Sequence, residues 1–287
     1  MKMLKLFLSL FFVSSLVTIS AQNEVTIETI PISNSVYMLV GQGGNIGVSV
    51  GEDGVFVIDD QFAQLTPKIL DAIKKLSDKP IQYVVNTHYH GDHTGGNANM
   101  EKAGAKIIAH DNVYKRLSEG KETDGLPVIT FNDKLSVHIN GERVLVFHTD
   151  NAHTDGDAML YFTESNVLHA GDNYFHKRYP YIDVTSGGSI DGYIKAVKRA
   201  LMVIDENTKI IPGHGDLSNK AEYASFLEML IKLRANVQAE IDKGKSENDI
   251  VNNTAITKQY DELSYSWSFI NSEKIRRAIY KSLIGKK

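Results

Sequence analysis

Hydrophobic and polar positions divide the chain into short segments that alternate between β-type and helical patterns. The first segments are rich in β-branched residues and are separated by Asn and Gly, which predicts an antiparallel meander. They are Val25 to Ile30, Ser35 to Val40, Asn45 to Val50 and Val55 to Asp59. A helix is predicted from Thr66, because Thr is a good N-cap and Pro67 suits the first helical position. Ile81 to Thr87 is then predicted to be a buried strand.

The alternation continues to the end of the chain. Further strands are predicted at Ala105 to Ala109, Ile129 to Phe131, Leu135 to Ile139, Arg143 to Phe147, around Val167 and Leu168, and at Lys209 to Ile211. Helices are predicted at Asn97 to Ala103, Asn112 to Ser118, Ser189 to Ile204, Lys220 to Asp242 and Ser272 to Leu283. No Pro/Gly/Ser-rich linker interrupts the pattern, so we expect one α/β (α+β) domain over residues 22–287, with helices at its C-terminal end.

The first 21 residues have a different character. Met1 to Lys5 carries two lysines, Leu6 to Val17 is almost wholly apolar, and Thr18 to Ala21 is small and polar. This order is typical of a secretory signal peptide, and the apolar stretch is short for a membrane span. We expect cleavage near Ala21 and a periplasmic or secreted protein. A buried N-terminal helix is the alternative.

Composition narrows the possible functions. The chain of 287 residues has no cysteine, which excludes disulfides, thiolate metal ligands and a cysteine nucleophile. Its net charge of −4 and the lack of a long basic run argue against a nucleic-acid partner. The sequence shows no second apolar stretch of the kind that would anchor a protein stably in a membrane. We expect a small-molecule substrate, and the sequence leaves the oligomeric state open.

The strongest chemical signal is the run His88-Tyr89-His90-Gly91-Asp92-His93, which directly follows a predicted strand. Residues two apart project to the same side of an extended chain, so His88 and His90 form a natural pair. Asp92 and His93 follow Gly91, where the chain can turn and direct them towards a second ion. The run therefore indicates two metal ions.

Residues of the same types recur at later strand ends. His153 follows one strand, Asp172 follows the strand around Val167 and Leu168, and His214 follows Lys209 to Ile211. Ligands that come from several strand ends predict a site at one edge of a sheet, where loops on a rigid scaffold carry chemistry.

This order of motifs resembles the metallo-β-lactamase superfamily. The resemblance covers residues 24–215 and rests on His-x-His-x-Asp-His, followed by a His, an Asp and a final Gly-His. It implies a four-layer αβ/βα sandwich with the site between two sheets. It further implies that one metal is bound by His88, His90 and His153, that the other is bound by Asp92, His93 and His214, and that Asp172 bridges both.

The implied ligands indicate two zinc ions per chain, because imidazole and carboxylate suit zinc, although they also accommodate iron or manganese. A water shared by two such ions has its pKa lowered towards about 7, so that hydroxide attacks a substrate carbonyl. Asp92 is the expected catalytic residue, which orients the hydroxide or passes a proton to the leaving group. Asp59 resembles the superfamily's structural Asp near the site.

Ligand identities separate activities within the superfamily. Diiron redox members usually carry Glu at the position of His90, so His90 favours hydrolysis. Many true β-lactamases carry Cys or Ser at the position of Asp172, whereas glyoxalase II-type thioesterases, lactonases and phosphodiesterases carry Asp. Export, however, favours substrates met outside the cytosol. We therefore expect a hydrolase of a β-lactam or lactone, with a thioester or phosphodiester hydrolase as the alternative. A non-enzymatic metal-binding protein would be expected to have lost ligands, and none is missing.

Substrate contacts are expected from the segment that follows Asp172, because it combines aromatic faces with cations. The candidates are Tyr174, Phe175, Arg178 and Tyr179. Ordinary aromatic packing with a salt-bridged Arg178 is the alternative. The other histidines are expected to be hydrogen-bonded or surface groups: His110, His138, His148, His169 and His176.

Overall fold

The computed structural model describes residues 24–120 and 123–285. The predicted signal peptide at residues 1–21 lies outside this range. Within the described residues, no helix is both long enough and apolar enough to span a membrane.

The first half of the chain forms a seven-stranded sheet whose strands follow one another in sequence order. Strands β1 to β4 pair antiparallel, as the meander pattern predicts, and β4 to β7 pair parallel. The strands are β1 (Glu28–Pro31), β2 (Val36–Val40), β3 (Ile46–Gly51), β4 (Gly54–Ile58), β5 (Ile81–Val85), β6 (Lys106–His110) and β7 (Ile129–Phe131).

The second sheet has six strands in the order β13-β12-β11-β10-β9-β8, and only the β11·β12 pair is parallel. Its members are β8 (Lys134–Ile139), β9 (Glu142–His148), β10 (Ala158–Phe162), β11 (Val167–Phe175), β12 (Lys209–His214) and β13 (Ser218–Asn219). The sequence pattern did not predict β10, because it is almost wholly buried and shows no alternation of polar and apolar residues.

The helices of the described residues are α1 (Thr66–Leu76), α2 (Gly91–Thr94), α3 (Asn97–Lys102), α4 (Asp111–Ser118), α5 (Ile190–Val203), α6 (Lys220–Asp242), α7 (Glu247–Asn252), α8 (Lys258–Asp261) and α9 (Ser272–Ile284). The longer ones cover the outer faces of the two sheets. Thr66 is not the N-cap of α1 but its first residue, and it makes no capping bond. Ser189 does cap α5, since its side chain accepts a hydrogen bond from the Gly192 amide.

Three apolar clusters hold the four layers together. One contains side chains of both sheets, including Phe56 on β4 and Phe162 on β10, whose rings meet edge to face at 6.1 Å. A second packs the first sheet against α1 and α3, and a third packs the second sheet against α5, α6 and α9. The protein is therefore the expected four-layer αβ/βα sandwich, with the C-terminal helices part of its outer layer.

Candidate metal centre

The seven predicted ligands meet at one edge of the sandwich, between the two sheets. The turn after β5 carries His88 and His90, and the short helix α2 that follows carries Asp92 and His93. The second sheet supplies the remaining three from the β9–β10 loop, from β11 and from the end of β12: His153, Asp172 and His214.

The first group contains His88, His90, His153 and Asp172. Nδ1 of His90 lies 3.1 Å from Nε2 of His88 and 2.9 Å from Nε2 of His153. Oδ2 of Asp172 lies 3.8 Å from the His88 atom and 3.4 Å from the His153 atom. These four atoms lie within 4.8 Å of one another, which is close enough for all of them to bind one metal ion.

The second group contains Asp92, His93 and His214. Oδ2 of Asp92 lies 3.8 Å from Nε2 of His93 and 3.4 Å from Nε2 of His214. Oδ1 of Asp172 lies 3.2 Å and 3.5 Å from the same two nitrogens. The two oxygens of Asp172 therefore face different ligand groups, which is the arrangement of a carboxylate that bridges two cations.

Two of the donor atoms are left without a hydrogen-bond partner in the part of the chain that the structure describes. Among the described residues, Nε2 of His93 and Oδ1 of Asp172 are buried and have no hydrogen-bond partner. Nδ1 of His93 lies 2.7 Å from Oδ2 of Asp59, so the nitrogen that faces Asp172 carries a lone pair when the ring is neutral. A lone pair that faces a buried carboxylate oxygen at 3.2 Å requires a proton or a cation between them. The residues therefore fit a metal ion.

Most ligand rings are held in orientation through their second nitrogen. Nδ1 of His153 contacts the Tyr181 carbonyl at 2.8 Å, and Nε2 of His90 contacts the Asp183 carboxylate at 3.2 Å. Such partners select the tautomer that presents the other nitrogen to the metal. The sequence pattern did not single out Asp183, because it belongs to no motif and reaches His90 only through the fold.

Two glycines allow the backbone to approach the ligands closely. A Cβ atom at Gly44 would overlap the His93 ring, and one at Gly213 would overlap Oδ1 of Asp172. Gly171 has a φ of +50°, and the pairing of β11 with β12 shifts register on either side of it. The sequence indicated that Asp172 follows the end of its strand, and the structure corrects this expectation. Asp172 lies inside β11, and this irregularity directs its side chain into the site.

Electrostatics differ between the two groups in the metal-free protein. Burial lowers the pKa of His88, and it lowers that of His153 to about 4, so both rings are neutral. Burial acts in the same direction on His214, but Asp172 and Asp92 outweigh it and raise the pKa of His214 to about 8. Burial also opposes ionisation of Asp172, yet His93 and His214 hold its pKa well below the ordinary value. The first group is thus ready to bind a cation, whereas the second holds protons.

Comparisons with known proteins agree with this geometry. The sequence model of the metallo-beta-lactamase superfamily matches residues 39–235. The chain belongs to this superfamily. It is 30% identical over 187 residues to hydroxyacylglutathione hydrolase of Pelagibacter ubique, a match that covers 63% of this chain and 66% of that protein. It is 24% identical over 184 residues to metallo-beta-lactamase IND-1 of Chryseobacterium indologenes, covering 64% and 76%.

The match thus spans slightly less than two thirds of the length of the first of these relatives.

The fold of this chain is similar to that of several solved structures. A metallo-beta-lactamase from Pontibacter korlensis matches with a TM-score of 0.64 at 19% identity, over 71% of this chain and 99% of that one. The sec-alkylsulfatase Pisa1 from Pseudomonas sp. matches with a TM-score of 0.73 at 18% identity, over 91% of this chain and 51% of that one.

An open cavity of about 740 Å³ lies over the centre, and four of the seven ligands line it: His90, Asp92, Asp172 and His214. Of the four expected substrate contacts, Phe175 and Arg178 line this cavity. Phe175 is almost fully buried and stacks on the His214 ring at 5.1 Å, so it chiefly supports a ligand. Arg178 lies over the ring of Trp267, with the guanidinium carbon 5.6 Å from the ring centre.

Tyr174 and Tyr179 do not line the cavity, which corrects the sequence-based expectation. Both are fully buried among the C-terminal helices and the second sheet. The Tyr174 hydroxyl is hydrogen-bonded to Ser218, and the Tyr179 hydroxyl donates to Asp261. Alternation along the extended chain turns Tyr174 to the face opposite Phe175. The alternative expectation of aromatic packing therefore describes these two residues.

Several aromatic residues that line the cavity were not singled out from sequence. They are Phe62, Tyr181, Trp267 and Phe269. Only Tyr181 belongs to the segment that follows Asp172. Trp267 and Phe269 are more than fifty positions beyond His214 in sequence. No motif joins them to the ligands, and only packing of the C-terminal helices brings them to the site.

The histidines expected to lie outside the ligand set occupy other environments. His169 is buried, and its Nε2 contacts the Asn45 carbonyl at 3.1 Å, which ties β11 to the loop before β3. The rings of His110 and His148 stack at 3.8 Å where β6 and β9 end. Asp157 accepts hydrogen bonds from the amides of His153 and Thr154, so it holds the loop that presents His153.

Proposed function

We propose that this chain is an exported hydrolase that holds two zinc ions and opens a β-lactam or a lactone ring. The observation that carries the proposal is the orientation of Asp172, whose two oxygens face the two separate ligand groups at the floor of the cavity. Export is supported by the N-terminal pattern of residues 1–21.

Two bound dications would supply Lewis acidity and an activated water at neutral pH. The chain's own residues would arrange the reaction around them. Both carboxylates of the ligand set line the cavity, but the Asp92 side chain is 29% exposed, whereas that of Asp172 is 5% exposed. Burial opposes ionisation of Asp92, but His93 and His214 hold the pKa of Asp92 below its ordinary value, so the group is ionised at neutral pH. In this proposal it orients the attacking water or passes a proton to the leaving group.

The charge of the cavity wall supports a neutral or singly anionic substrate. Among the described lining residues, Arg178 is the only Lys or Arg. Asp216 is the only Asp or Glu among the described lining residues outside the ligand set, and the lining also includes five aromatic residues and residues of the β2–β3 loop. A lactam or lactone with an apolar substituent matches this lining, because one cation and a set of rings can satisfy it.

Thioester hydrolysis is the second candidate. It is supported by the two hydroxyacylglutathione hydrolases that are each 30% identical to this chain, from Pelagibacter ubique and a Polaromonas species. A glutathione thioester carries more than one ionised group, however, and the cavity presents a single guanidinium to them.

A parallel assay decides between these activities. Nitrocefin, an N-acyl homoserine lactone, a glutathione thioester and bis(p-nitrophenyl) phosphate would be tested with and without chelator on protein of measured metal content. We expect turnover of the lactam or the lactone, abolished by chelator, and about two zinc ions per chain. Preferred turnover of the thioester would select the second candidate, and turnover that survives complete metal removal would contradict both.

A matched pair of variants tests the centre itself. His88→Ala removes a ligand of the first group and is expected to lower kcat/KM about 100-fold or more, because the lost Lewis acidity is worth several kcal/mol. His138→Ala removes an exposed histidine on β8 and is expected to leave kcat/KM unchanged. Equal activity of the two variants would rule out the centre as the active site.

A further inference from the structure

An arc of aromatic rings joins the two halves of the metal centre along one wall of the cavity. Trp267 lies 5.9 Å from the ring of His214, a ligand of the second group, and 5.7 Å from Phe269. Phe269 lies 5.1 Å from Tyr181, which stacks at 5.6 Å on His90, a ligand of the first group. A substrate bound over both metal positions would therefore lie against this arc along its length.

The middle of the arc comes from the loop between α8 and α9, residues 262–271. This loop lies beyond the region that the superfamily sequence model matches, which ends at residue 235. The wall is thus built by a part of the chain that the shared catalytic core does not include. Elements added outside a conserved scaffold are where members of one fold differ in specificity.

The loop is held in place on the cavity side. The indole N–H of Trp267 donates to the Tyr179 carbonyl at 2.9 Å, and its backbone N–H donates to the Ile270 carbonyl at 3.0 Å. The ammonium of Lys274 donates to the Phe269 carbonyl and lies over the Phe269 ring. Ile270 is buried in the apolar cluster of the second sheet. The rings are therefore pre-positioned, which reduces the entropy lost when they bind a ligand.

The arc also leaves apolar surface exposed, although Lys274 lies over the Phe269 ring and Arg178 over the Trp267 ring. Phe269 is 50% exposed, although it is a large apolar side chain at the mouth of the cavity. Val40 at the end of β2 and Phe62 in the segment after β4 line the same cavity. An apolar group bound between Phe269 on one side and Phe62 and Val40 on the other would remove the surface of all three side chains from water. The free energy gained is proportional to the apolar area buried.

We propose that Trp267 and Phe269 are the specificity-determining residues of this site and bind an apolar acyl group, a ring or an alkyl chain, attached to the scissile carbonyl. The inference rests on the proposed function, since it assigns the substrate class of the same cavity. It predicts that affinity rises with the apolar size of the acyl group, while the reacting group stays the same.

A binding experiment tests the inference without turnover. Trp267 is the single tryptophan of the chain, so intrinsic tryptophan fluorescence reports on this wall alone. The metal-loaded protein would be titrated with acetate and with 4-phenylbutyrate, which share a carboxylate but differ in apolar body. We expect 4-phenylbutyrate to bind at least about tenfold more tightly, and Phe269→Ala to remove most of that difference.

Leu263→Ala is the matched control. Leu263 belongs to the same loop and is 60% exposed, but it does not line the cavity. We expect this variant to bind both carboxylates as the unmodified protein does. Equal affinity of the unmodified protein for acetate and 4-phenylbutyrate, or an equal loss in the Leu263 and Phe269 variants, would overturn the inference.

Kinetics provide the second test once the substrate panel has identified a reaction. For short- and long-chain acyl versions of the hydrolysed substrate, Phe269→Ala is expected to lower kcat/KM for the long chain about tenfold, mainly through KM. The value for the short chain should change little. If no panel substrate is hydrolysed, the proposed function fails, whereas the fluorescence titration still supports or overturns the assignment of the wall.

Discussion

Asp59 lies outside both ligand groups, yet it determines how His93 presents its ligand nitrogen. It is fully buried and accepts hydrogen bonds from the Thr87 amide at 2.7 Å and the Thr87 hydroxyl at 2.8 Å, in addition to its contact with Nδ1 of His93. Its two oxygens thus serve three donors. The sequence correctly indicated a structural role for this residue near the site.

Asp59→Asn is therefore expected to weaken zinc binding. An amide offers one acceptor oxygen, so either the Thr87 amide or Nδ1 of His93 would face an N–H group instead. Loss of such a supporting contact typically costs about 10–100-fold in metal affinity. A competition titration against a chromophoric zinc chelator measures this loss.

Asp60→Asn is the matched control for that variant. Asp60 is the next residue and is equally buried, but its side chain accepts a hydrogen bond from the Gly96 amide rather than from a metal ligand. An amide keeps an acceptor oxygen for this bond, so we expect little change in zinc affinity. If the Asp59 and Asp60 variants bound zinc equally well, the supporting role of Asp59 would be refuted.

The two ligand groups should also respond differently to pH. Although burial opposes it, Asp172 raises the pKa of His214 to about 8, above the ordinary 6.5, so this ring holds a proton at neutral pH until a metal displaces it. Zinc affinity of the second group should fall about tenfold or more for each pH unit below about 8. His153, with a pKa lowered to about 4 by burial, imposes no such dependence on the first group in that range.

Zinc titrations at several pH values would separate the two affinities. The raised pKa of His214 also affects the stability of the metal-free protein, and there a lower pH is favourable. A pKa raised in the folded state adds stability that is fully present below about pH 6.5 and is lost as the pH rises through about 8. Parallel pH dependence of both zinc affinities would show that His214 does not control the second group.

At the scale of elements, β11 and β12 position the bridging carboxylate. All nine residues of β11 are buried, and the register shifts around Gly171 place Asp172 beside Gly213 of the parallel neighbour β12. A strand without this irregularity would keep its strict two-residue alternation. The site therefore depends on a local departure from regular β-structure.

Gly213→Ala is expected to displace the Asp172 carboxylate, because the added methyl group would overlap its Oδ1 atom. We expect loss of at least one zinc ion per chain and a fall in activity of about 100-fold or more. Gly91→Ala lies within the histidine motif but would meet no atom within 4 Å among the described residues, so it should retain both ions. Metal analysis of the two purified variants checks this. Retention of both ions by the Gly213 variant would contradict the bridging role.

At the scale of the whole molecule, the metal centre connects the two sheets. Four of its ligands follow β5 of the first sheet, and three belong to the second sheet and its loops. Because the ligands converge only in the folded protein, bound metal should stabilise the sandwich as a unit.

Chelation is therefore expected to lower the thermal midpoint. A ligand present at about 100 times its Kd stabilises the fold by about 2.7 kcal/mol, which corresponds to roughly 5–10 °C for a protein of this size. Calorimetry of the metal-loaded protein with and without chelator measures the shift. Asp172→Ala, which removes the group shared by both ions, should show a smaller shift, and an equal shift in this variant would argue against a shared carboxylate.

The sequence by itself determined most of the helices and strands, because periodic burial is a local property of the chain. The resemblance of its motifs to the superfamily implied the seven residues that converge in the candidate metal centre. Only the tertiary structure decided which side chains surround those ligands. Asp183, Tyr181, Trp267 and Phe269 reach the centre from separate elements, and burial turned Tyr174 and Tyr179 away from it. Such contacts depend on how distant segments pack, which no local pattern records.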